Sequence, residues 1–328
     1  MNIGLDVGYS HTKAVTGDRP PIIFPSVVGT PDKARFSLTT ENGIVLTYPR
    51  HVQVGAGAVT QSRFLQRRED RHWVESEEWL DLALAALTEL TTATFSELRI
   101  VTGLPVAFFA DRKVVRDRLL GTHKVQREDR HAQTFRVVDC AVIPQPFGTL
   151  LAATLDDRGR IANQALAAGT VGVIDIGGKT TNLLSVNRLT EISHETASVN
   201  VGAWDAVRAV QSWLADRYPG LEELRPHQVI DVIISRQVKY YGQTVNLGAL
   251  VEETLEPLAD QILAEASQLW NGGATLDAIL VTGGGALLLG QYIRRHFRHA
   301  MTVEDPVFAN ARGYWRLAQR RASQPTQI

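Results

Sequence analysis

The pattern of hydrophobic and polar positions predicts strands that alternate with helices. The run "NIGLDVG" is apolar and ends in glycine, which is typical of a buried strand entering a turn, and "HTKAVTG" is predicted to be its return strand. Further strands are predicted for "LRIVTGLP" and "TFRVVDCAVIP", and a hairpin for residues 36–48, around Asn42-Gly43. Apolar residues at helical spacing follow Ser76, a predicted N-cap with two glutamates in the first turn. Helices are also predicted for residues 110–120 and 147–155.

The second half of the chain repeats this order of elements. "VGVIDIGG" predicts a strand that enters a glycine turn, and "TTNLLSV" predicts its return strand. Helices are predicted for residues 203–218, 226–235 and 247–270, with Pro257 expected to kink or divide the last one. "LDAILVTGGGALLLGQYIRRHF" predicts a strand, a glycine turn and a helix. Strands that alternate with helices favour an α/β fold with largely parallel sheets and local hairpins.

A short phrase occurs twice, half a chain apart. In "IGLDVGYSHTK" and "VIDIGGKTTN", Asp6 aligns with Asp175, Gly8 with Gly177 and Thr12 with Thr181, an offset of 175 − 6 = 169. A second echo, "IVTG" against "LVTG", has an offset of 180. The repetition predicts two similar domains on either side of a cleft, with a ligand at their interface.

Composition narrows the possible functions. Of 328 residues, 44% are hydrophobic and 21% charged, and the net charge is −1, which gives no reason to expect direct binding to nucleic acid or to an anionic membrane. Cys140 is the only cysteine, which excludes a disulfide within the chain, a cysteine zinc site and an iron–sulfur cluster held by one chain. The chain begins directly with a strand pattern and contains no apolar run near the roughly 20 residues that span a bilayer, so a cytoplasmic protein without a leader is expected.

The repeated phrase carries the chemistry of an anion and cation site. Asp6 and Asp175 lie near the ends of predicted strands, where open α/β folds bind ligands, and each precedes a glycine turn whose amides can face an anion. Two such turns facing each other would hold a polyphosphate, with Mg²⁺ between the carboxylates. Lys13 and Lys179 add positive charge. For either copy alone, an ordinary strand-to-turn ending explains the residues equally well.

Two further stretches are candidates. "TGGGA" lies between a predicted strand and helix, where a nucleoside could approach the backbone, although a glycine run alone often marks only a tight turn. Gln145 lies between two prolines at a predicted strand-to-helix junction and could orient a water for attack on a γ-phosphate; without context, a loop residue is the simpler interpretation. The chain contains neither G-x-G-x-x-G nor a P-loop motif, and its nine histidines lack metal-ligand spacing. The charged runs "RFLQRREDRH" and "RKVVRDRLLGTHKVQREDRH" are interpreted as solvated helix faces.

These motifs, in this order, resemble the actin superfamily. "LDVGYSHTK" is similar to its first phosphate loop, "VIDIGGKTTN" to its second, "ILVTGGGALL" to its adenosine loop and "PQPFGTLLA" to its first interdomain connector. Within the superfamily, the spacing D-x-G-x-x-x-x-K, the stretch "VTGLPV" and the closing segment "DPVFANARGYW" resemble the ParM/StbA type of prokaryotic actin-like ATPase. In that type the last helix returns to the first domain.

The resemblance implies a fold and a set of site residues. The fold is α/β, with two similar actin-like (ribonuclease H-like) domains flanking a nucleotide cleft, each with a smaller inserted subdomain. Domain I covers residues 1–145 and 308–328 with an insertion at about 30–72, and domain II covers 146–307 with an insertion at about 205–270. Asp6, Gln145 and Asp175 would be catalytic, and the two aspartates would hold Mg²⁺ through water. The implied nucleotide-binding residues are Gly8, Tyr9, Ser10, His11, Lys13, Gly177, Gly178, Lys179, Thr180, Thr181, Gly202, Gly283, Gly284 and Gly285. Asn182 departs from the family, where many relatives carry Asp, and Lys179 replaces a usual small or hydroxyl residue.

The resemblance also implies a function. Such proteins polymerise head to tail with ATP (or GTP) and Mg²⁺ and depolymerise after hydrolysis, so the implied partners are other copies of the chain and, in plasmid or DNA segregation, a DNA-bound adaptor protein. A small-molecule kinase of the same fold and a cytoskeletal, MreB-like scaffold remain alternatives. A dehydratase activator is disfavoured because it would need more cysteines. A seventy-kilodalton chaperone would need a longer chain, and a membrane-bound relative would need an apolar or amphipathic tip.

Overall fold

A computed structural model of the protein describes residues 1–32, 43–66 and 71–323. The strands are β1 Asn2–Val7, β2 His11–Thr16, β3 Arg19–Pro25, β4 Val28–Gly29, β5 Ile44–Tyr48, β6 Val52–Val54, β7 Leu65–Gln66, β8 Phe95–Leu104, β9 Gly121–Arg127, β10 Gln133–Pro144, β11 Thr170–Ile176, β12 Thr181–Asn187, β13 Thr190–Glu191, β14 Ala197–Val199, β15 Gln237–Tyr240, β16 Gln243–Asn246, β17 Ala278–Thr282 and β18 Ala300–Thr302. The α-helices are α1 Ala56–Gln61, α2 Glu77–Leu90, α3 Arg112–Leu119, α4 Gln145–Thr154, α5 Gln164–Ala168, α6 Ala203–Arg217, α7 Pro226–Ser235, α8 Gly248–Leu269, α9 Ala286–His296 and α10 Ala309–Ser323. Short 3₁₀ helices cover Arg71–Glu75, Val106–Asp111, Ser193–Glu195 and Asn271–Gly273.

The chain forms two compact units. The first comprises Met1–Gln164 and Phe308–Ile328, and the second comprises Ala165–Val307. The first unit therefore extends past residue 145, where the sequence places the domain boundary. It does so because α4, which begins at Gln145, packs against α10 of the same unit.

The first unit is built on a mixed sheet. Among the described residues its strand order is β3-β2-β1-β8-β10-β9-β5-β6-β4-β7. Strands β1, β2 and β3 are antiparallel neighbours, which confirms the predicted first hairpin, and β8 lies parallel to both β1 and β10. Helix α2 covers this sheet with a largely buried apolar face, and its N-cap is Ser76, whose hydroxyl accepts from the amide of Trp79 at 3.2 Å, as predicted.

The second unit repeats the central strand order. Its sheet runs β13-β12-β11-β17-β18, with antiparallel pairs on the β12 side and parallel pairs on the β17 side. This is the order β3-β2-β1-β8-β10 of the first unit, so the repetition seen in the sequence is confirmed in the topology. The core of this unit lies between the sheet and helices α6 to α9. The hairpin β15–β16 forms a separate two-stranded sheet.

The "IVTG" and "LVTG" echo is one residue out of register with this repetition. Gly4 pairs with Val101 on β8, whereas its counterpart Val173 pairs with Leu280 on β17. The sheet registers therefore relate the two strands by 280 − 101 = 179 residues, not by the 180 of the sequence echo. Consequently the two glycines of the echo do not occupy equivalent places: Gly103 lies within β8 and Gly283 lies beyond the end of β17.

Helix α10 lies in the first unit, as the resemblance predicts. It packs against β1 and against α4. Glycine is needed where the two helices cross, because a Cβ on Gly313 would lie 1.7 Å from the carbonyl oxygen of Gly148. Asn310, one turn earlier on α10, accepts hydrogen bonds from the amide of Thr149 at 3.0 Å and from its hydroxyl at 2.9 Å. These contacts fix the first turns of α4, where Gln145 lies.

One sequence expectation is wrong, and two are settled in part. Pro257 lies inside helix α8 and does not divide it, because it is exposed, as is Glu253 one turn earlier, so water can replace the missing hydrogen bond; a kink at this residue stays a prediction. The second charged run is not only a helix face: its latter part is strand β9, and the Arg127 guanidinium is buried in ion pairs with Glu89 and Asp129. Of the hairpin predicted at 36–48, only β5 lies within the described residues.

No helix in the described part of the chain is long and apolar enough to cross a membrane.

Candidate functional site

The two copies of the repeated phrase fold into the same turn. The amide of Gly8 donates to the carbonyl oxygen of His11 at 3.2 Å, and the amide of Gly177 donates to that of Thr180 at 2.9 Å. Both glycine amides are therefore used to close their turns. Contact with an anion would fall to the residues that follow each glycine.

Asp6 is a buried carboxylate with donors on both of its oxygens. It lies on β1 and is 2% exposed. The ammonium of Lys13, its cross-strand neighbour on β2, donates to Oδ2 at 3.0 Å, and Nε2 of Gln145 donates to Oδ1 at 3.1 Å. The sequence identified all three residues separately but did not predict that they meet. The signal was present, since a spacing of seven across a short turn places Lys13 opposite Asp6.

Gln145 occupies the junction that the sequence predicts. It is the first residue of α4, directly after Pro144 ends β10. Its carbonyl oxygen accepts a hydrogen bond from the hydroxyl of Tyr314 at 3.3 Å, so α10 fixes its backbone while Asp6 holds its side chain.

In the first turn, the aromatic side chain of Tyr9 belongs to the core. Its ring centroid lies 6.1 Å from that of the buried Trp73. Ser10 and His11 are linked through Oγ and Nδ1 at 2.8 Å. Tyr9 therefore anchors the turn, and any contribution it makes to a ligand would come from its backbone.

Asp175 is the buried carboxylate of the second unit. It lies on β11, is 4% exposed, and pairs across the hairpin with Asn182. The amide oxygen of Asn182 accepts from the hydroxyl of Ser198 at 2.8 Å. The residue opposite the aspartate is thus a lysine in the first unit and an asparagine in the second.

The second turn is attached to the start of helix α6. The carbonyl oxygens of Gly177 and Gly178 accept from the amides of Ala203 and Trp204 at 2.9 and 2.8 Å. Gly202, the N-cap of α6, lies against this turn, and its amide donates to the carboxylate of Asp205 at 2.8 Å. Gly202 therefore lies beside the second phosphate loop, the loop to which the resemblance assigns it.

The hydroxyls of the second turn are buried. Thr181 donates to the carbonyl oxygen of Val201 at 2.7 Å, which supports the loop from inside. Thr180 is 9% exposed, and Lys179 beside it is half-buried. Thr181, which the resemblance implies to be a nucleotide-binding residue, therefore supports the backbone of this loop through its hydroxyl.

The glycine turn after β17 lies directly against the end of β11. Gly283 has a φ of +85°, and a Cβ there would lie 2.6 Å from Oδ1 of Asp175. The amide of Gly285 donates to the carbonyl oxygen of Ile176 at 2.9 Å. Space is open beside Gly284, where a Cβ would meet nothing within 4 Å. The structure therefore brings the predicted adenosine loop and Asp175 together.

A cavity of about 220 Å³ adjoins this glycine turn in the second unit. Its walls come from α7, α8 and α9 and combine seven aliphatic side chains with two arginines and a glutamine, so that polar atoms form most of the exposed lining: Ile233, Ile234, Arg236, Val251, Leu255, Ala286, Leu287, Leu288, Gln291 and Arg294. Arg236 is held in place by Glu252 at 3.0 Å, which also binds Arg295 at 2.8 Å. The hydrogen bond from Arg295 is the main reason why the pKa of Glu252 is lowered. Sequence reasoning missed this cavity because its walls come from three helices far apart in the chain.

The residues present are compatible with a magnesium ion bound together with phosphates. In the part of the chain that the structure describes, no group of three histidine, cysteine or acidic side chains could hold a metal by itself. Mg²⁺ does not need such a group, because it keeps several waters and is commonly held by one or two carboxylates plus phosphates. Each unit has one buried carboxylate of this kind, Asp6 near the end of β1 and Asp175 near the end of β11.

Comparison with known proteins agrees with the fold. Residues 4–148 match a family model described as actin-like proteins, N-terminal domain, and residues 173–295 match one described as archaeal actin homologue MreB-like, C-terminal. An archaeal actin homolog of Thermoplasma volcanium is 26% identical, over 97% of this chain and 98% of that protein. The solved structure of Ta0583, an archaeal actin homolog in complex with ADP, superposes with a TM-score of 0.79 at 24% identity, covering 97% of this chain and 99% of that one. A 15-stranded ParM filament from Clostridium botulinum has a subunit with a TM-score of 0.78 at 21% identity and the same coverage.

Two units with the same strand order, each with a carboxylate before a glycine turn, define an actin-like protein. The chain belongs to the actin-like ATPase family, whose members include archaeal actin homologs and filament-forming ParM proteins. The resemblance found in the sequence is thereby confirmed.

Proposed function

We propose that this protein binds one ATP (or GTP) with Mg²⁺, using both units, and hydrolyses it to control head-to-tail polymerisation. The observation that carries the proposal is the repeated hairpin: in each unit a buried carboxylate precedes a glycine turn closed by the same hydrogen bond. A duplicated anion-binding turn is explained most simply by one ligand with several phosphates.

The phosphates would bind to the residues that follow the two turn glycines. In the first unit these are Tyr9, Ser10 and His11, with Tyr9 contributing its backbone. In the second unit they are Gly178, Lys179 and Thr180, next to the N-terminus of α6, whose dipole favours a negative charge. Thr181 and Gly202 would support this loop.

The nucleoside would bind to the second unit. The open space beside Gly284 would allow close approach, Gly283 and Gly285 would shape the turn against β11, and the adjoining cavity offers aliphatic and guanidinium groups for a base. The guanidinium groups of Arg236 and Arg294 can stack on a planar ring. The solved ADP complex of Ta0583 supports a nucleotide as the ligand.

The two aspartates and Gln145 would supply the chemistry. Asp6 and Asp175 would hold Mg²⁺ through water, and the ion when bound would neutralise phosphate charge. Gln145 would orient the attacking water. Its hydrogen bond to Asp6 supports this role, because it fixes the side chain beside one of the proposed metal-binding carboxylates.

Family membership and the ParM filament support the filament part of the proposal. Copies that add head to tail make heterologous contacts, which extend into filaments when they do not close. The likeness to ParM proteins motivates the finer proposal that filaments move DNA through a DNA-bound adaptor protein in the cytoplasm. If so, a DNA-binding protein encoded beside this chain should bind the filaments and change their length distribution.

Sedimentation tests the proposal. The purified protein should pellet with ATP and Mg²⁺, and should return to the supernatant as phosphate is released. The matched control is the same protein with ADP, or with ATP and a chelator. ATP binding without pelleting or light scattering at any concentration would refute the filament proposal, and hydrolysis that depends on an added hydroxyl substrate would favour the kinase alternative.

A further inference from the structure

We propose that the turn of the β15–β16 hairpin, centred on Tyr241, is a contact surface through which one copy of this chain binds the next. This inference rests on the proposed function, because it names a surface for the head-to-tail assembly proposed above. It adds a position on the molecule and a set of residues to an assembly whose contacts are otherwise unassigned.

The turn places an aromatic residue where the backbone favours a small one. Tyr240 pairs with Gln243, so Tyr241 and Gly242 form a two-residue turn, with φ values of +44° and +79°. Turns with two positive φ values favour Asn-Gly, because a Cβ in the left-handed region crowds the following carbonyl oxygen and asparagine compensates through local hydrogen bonds. Local conformation therefore does not explain the tyrosine, and backbone strain of this kind clusters at functional positions.

The Tyr241 side chain also gains little from burial within its own chain. It is 86% exposed, more than any other large hydrophobic side chain in the part of the chain that the structure describes. Val238, three residues earlier on β15, is buried in the core of the second unit. The hairpin is thus anchored through its strand, while its turn holds an aromatic ring in water.

Tyr241 is the most exposed member of a continuous aromatic surface. Its ring centroid lies 4.6 Å from that of Tyr240, which lies 5.0 Å from that of Tyr218. Tyr218 in turn lies 5.9 Å from Trp213, and the guanidinium of Arg217 lies 5.0 Å from the centroid of the Trp213 ring. These five side chains are of the three residue types that are most enriched among the dominant contacts of protein interfaces.

The aromatic surface is ordered before any partner binds. The hydroxyl of Tyr240 donates to the carbonyl oxygen of Pro219 at 3.3 Å, which links β15 to the segment that follows α6. The ring contacts restrict the side chains further. Because aromatic side chains have few rotatable bonds and these are already held, little conformational entropy remains to be lost on association.

A protein fits this surface better than a nucleic acid does. Single-stranded nucleic acid also stacks on aromatic rings, but the proteins that bind it combine such rings with a strongly basic groove. Arg217 is the one charged member of the aromatic surface, and the whole chain has a net charge of −1. The surface therefore favours a partner that covers aromatic rings without bringing a large charge.

A second copy of the chain meets that description. Identical chains with a net charge of −1 repel one another little, and a ParM protein of the same fold forms filaments. Covering one aromatic side chain buries about 150–250 Å², which is about a quarter of the roughly 800 Å² that each partner contributes to a stable interface. Tyr241 would therefore anchor part of the contact, which suits copies that separate after hydrolysis.

Tyr241→Asn separates a role in assembly from a role in folding. It gives the turn the favoured Asn-Gly sequence, so Tm should rise by about 2–4 °C. Pelleting with ATP and Mg²⁺ should nevertheless need a critical concentration at least about tenfold higher, as expected when a dominant interface side chain is lost. The Kd for ADP, measured by calorimetry, should be unchanged, because the hairpin forms a sheet of its own, separate from the strands that carry the repeated turns.

Two further variants show whether the ring and its position matter. Tyr241→Phe keeps the ring and should pellet at the wild-type critical concentration. Phe95→Asn is the matched control, because Phe95 is an aromatic residue on β8 of the first unit that is 57% exposed, and it should also leave the critical concentration unchanged.

Hydrogen exchange on the wild-type protein gives a readout that needs no variant. Backbone amides of residues 237–246 should exchange more slowly in the ATP pellet than in protein with ADP, because a neighbouring copy would cover the turn.

The outcomes are distinguishable. Tyr241→Asn protein that pellets at the wild-type critical concentration would overturn the inference, as would equal exchange of residues 237–246 in both states. A similar loss of pelleting in Phe95→Asn would also overturn it, because any exposed aromatic residue would then have the same effect. Wild-type protein that binds ATP but never pellets would refute the proposed assembly, and this inference with it.

Discussion

Substitution of Gly313 by alanine tests the packing that positions Gln145. At the crossing of α4 and α10, a Cβ on Gly313 would lie 1.7 Å from the carbonyl oxygen of Gly148 and 2.8 Å from the amide nitrogen of Ala152. Carbon and oxygen atoms in close contact lie about 3.3 Å apart. The helices would therefore have to separate by about 1.6 Å at this point.

The expected loss follows from two opposing effects. Overpacking costs about 1–3 kcal/mol, and the upper value applies because both neighbours are backbone atoms that no rotamer change can move. Alanine is favoured over glycine in a helix by about 1 kcal/mol, which leaves a net loss of about 2 kcal/mol. For a domain of 150–250 residues this lowers Tm by about 4–8 °C.

Calorimetry on the full chain measures the effect. The matched control is Gly290→Ala, also within a helix, where a Cβ would meet its nearest neighbours at 3.6 Å and stability should stay level or rise slightly. Because α4 begins at Gln145, Gly313→Ala should also slow ATP hydrolysis. A Gly313→Ala protein that melts within about 1 °C of wild type would contradict the described helix crossing.

Other substitutions test the site and the first unit. Asp175→Ala should abolish hydrolysis measured by phosphate release, and normal turnover would exclude the two-carboxylate site. Gln145→Ala should slow phosphate release while leaving the Kd for ADP nearly unchanged; a large loss of affinity would contradict its role toward water. Ser76→Ala should cost about 1 kcal/mol in the free energy of unfolding, measured by urea titration, because α2 loses its N-cap. Burial raises the pKa of Asp81 to about 6 from 3.8, against the opposing effect of Arg50 at 2.9 Å. The protonated group therefore favours folding below pH 4, and this contribution to stability is lost as pH rises through 6. Asp81→Asn should flatten the dependence of the urea midpoint on pH in this range, and an unchanged dependence would refute the assignment.

Local patterns identified the elements around the site well. The strand-and-turn phrase at Asp6 and its repeat at Asp175 gave both hairpins, because a buried strand ending in glycine is a short-range signal. The same holds for Ser76, since capping depends on neighbouring residues only. The order of motifs was enough to indicate the actin-like fold.

The interactions that were missed depend on tertiary packing. The cavity between α7, α8 and α9 needs three helices to come together, and the Asp6–Gln145 hydrogen bond joins residues 139 positions apart. Strand β9 was hidden in a charged run because Arg127 is buried by ion pairing, an arrangement that hydrophobic periodicity does not register. Pro257 is accommodated within a helix because it lies on the solvent side, and the sequence prediction did not take that exposure into account.

Both repeated turns are proposed to bind one nucleotide. Calorimetric titration with ADP and Mg²⁺ tests it most directly, using wild type, Ser10→Glu in the first turn and Lys179→Glu in the second. We expect one nucleotide per chain and a large loss of affinity in each variant, because either new carboxylate would repel the phosphates. Two nucleotides per chain, or one variant that binds ADP as tightly as wild type, would contradict it.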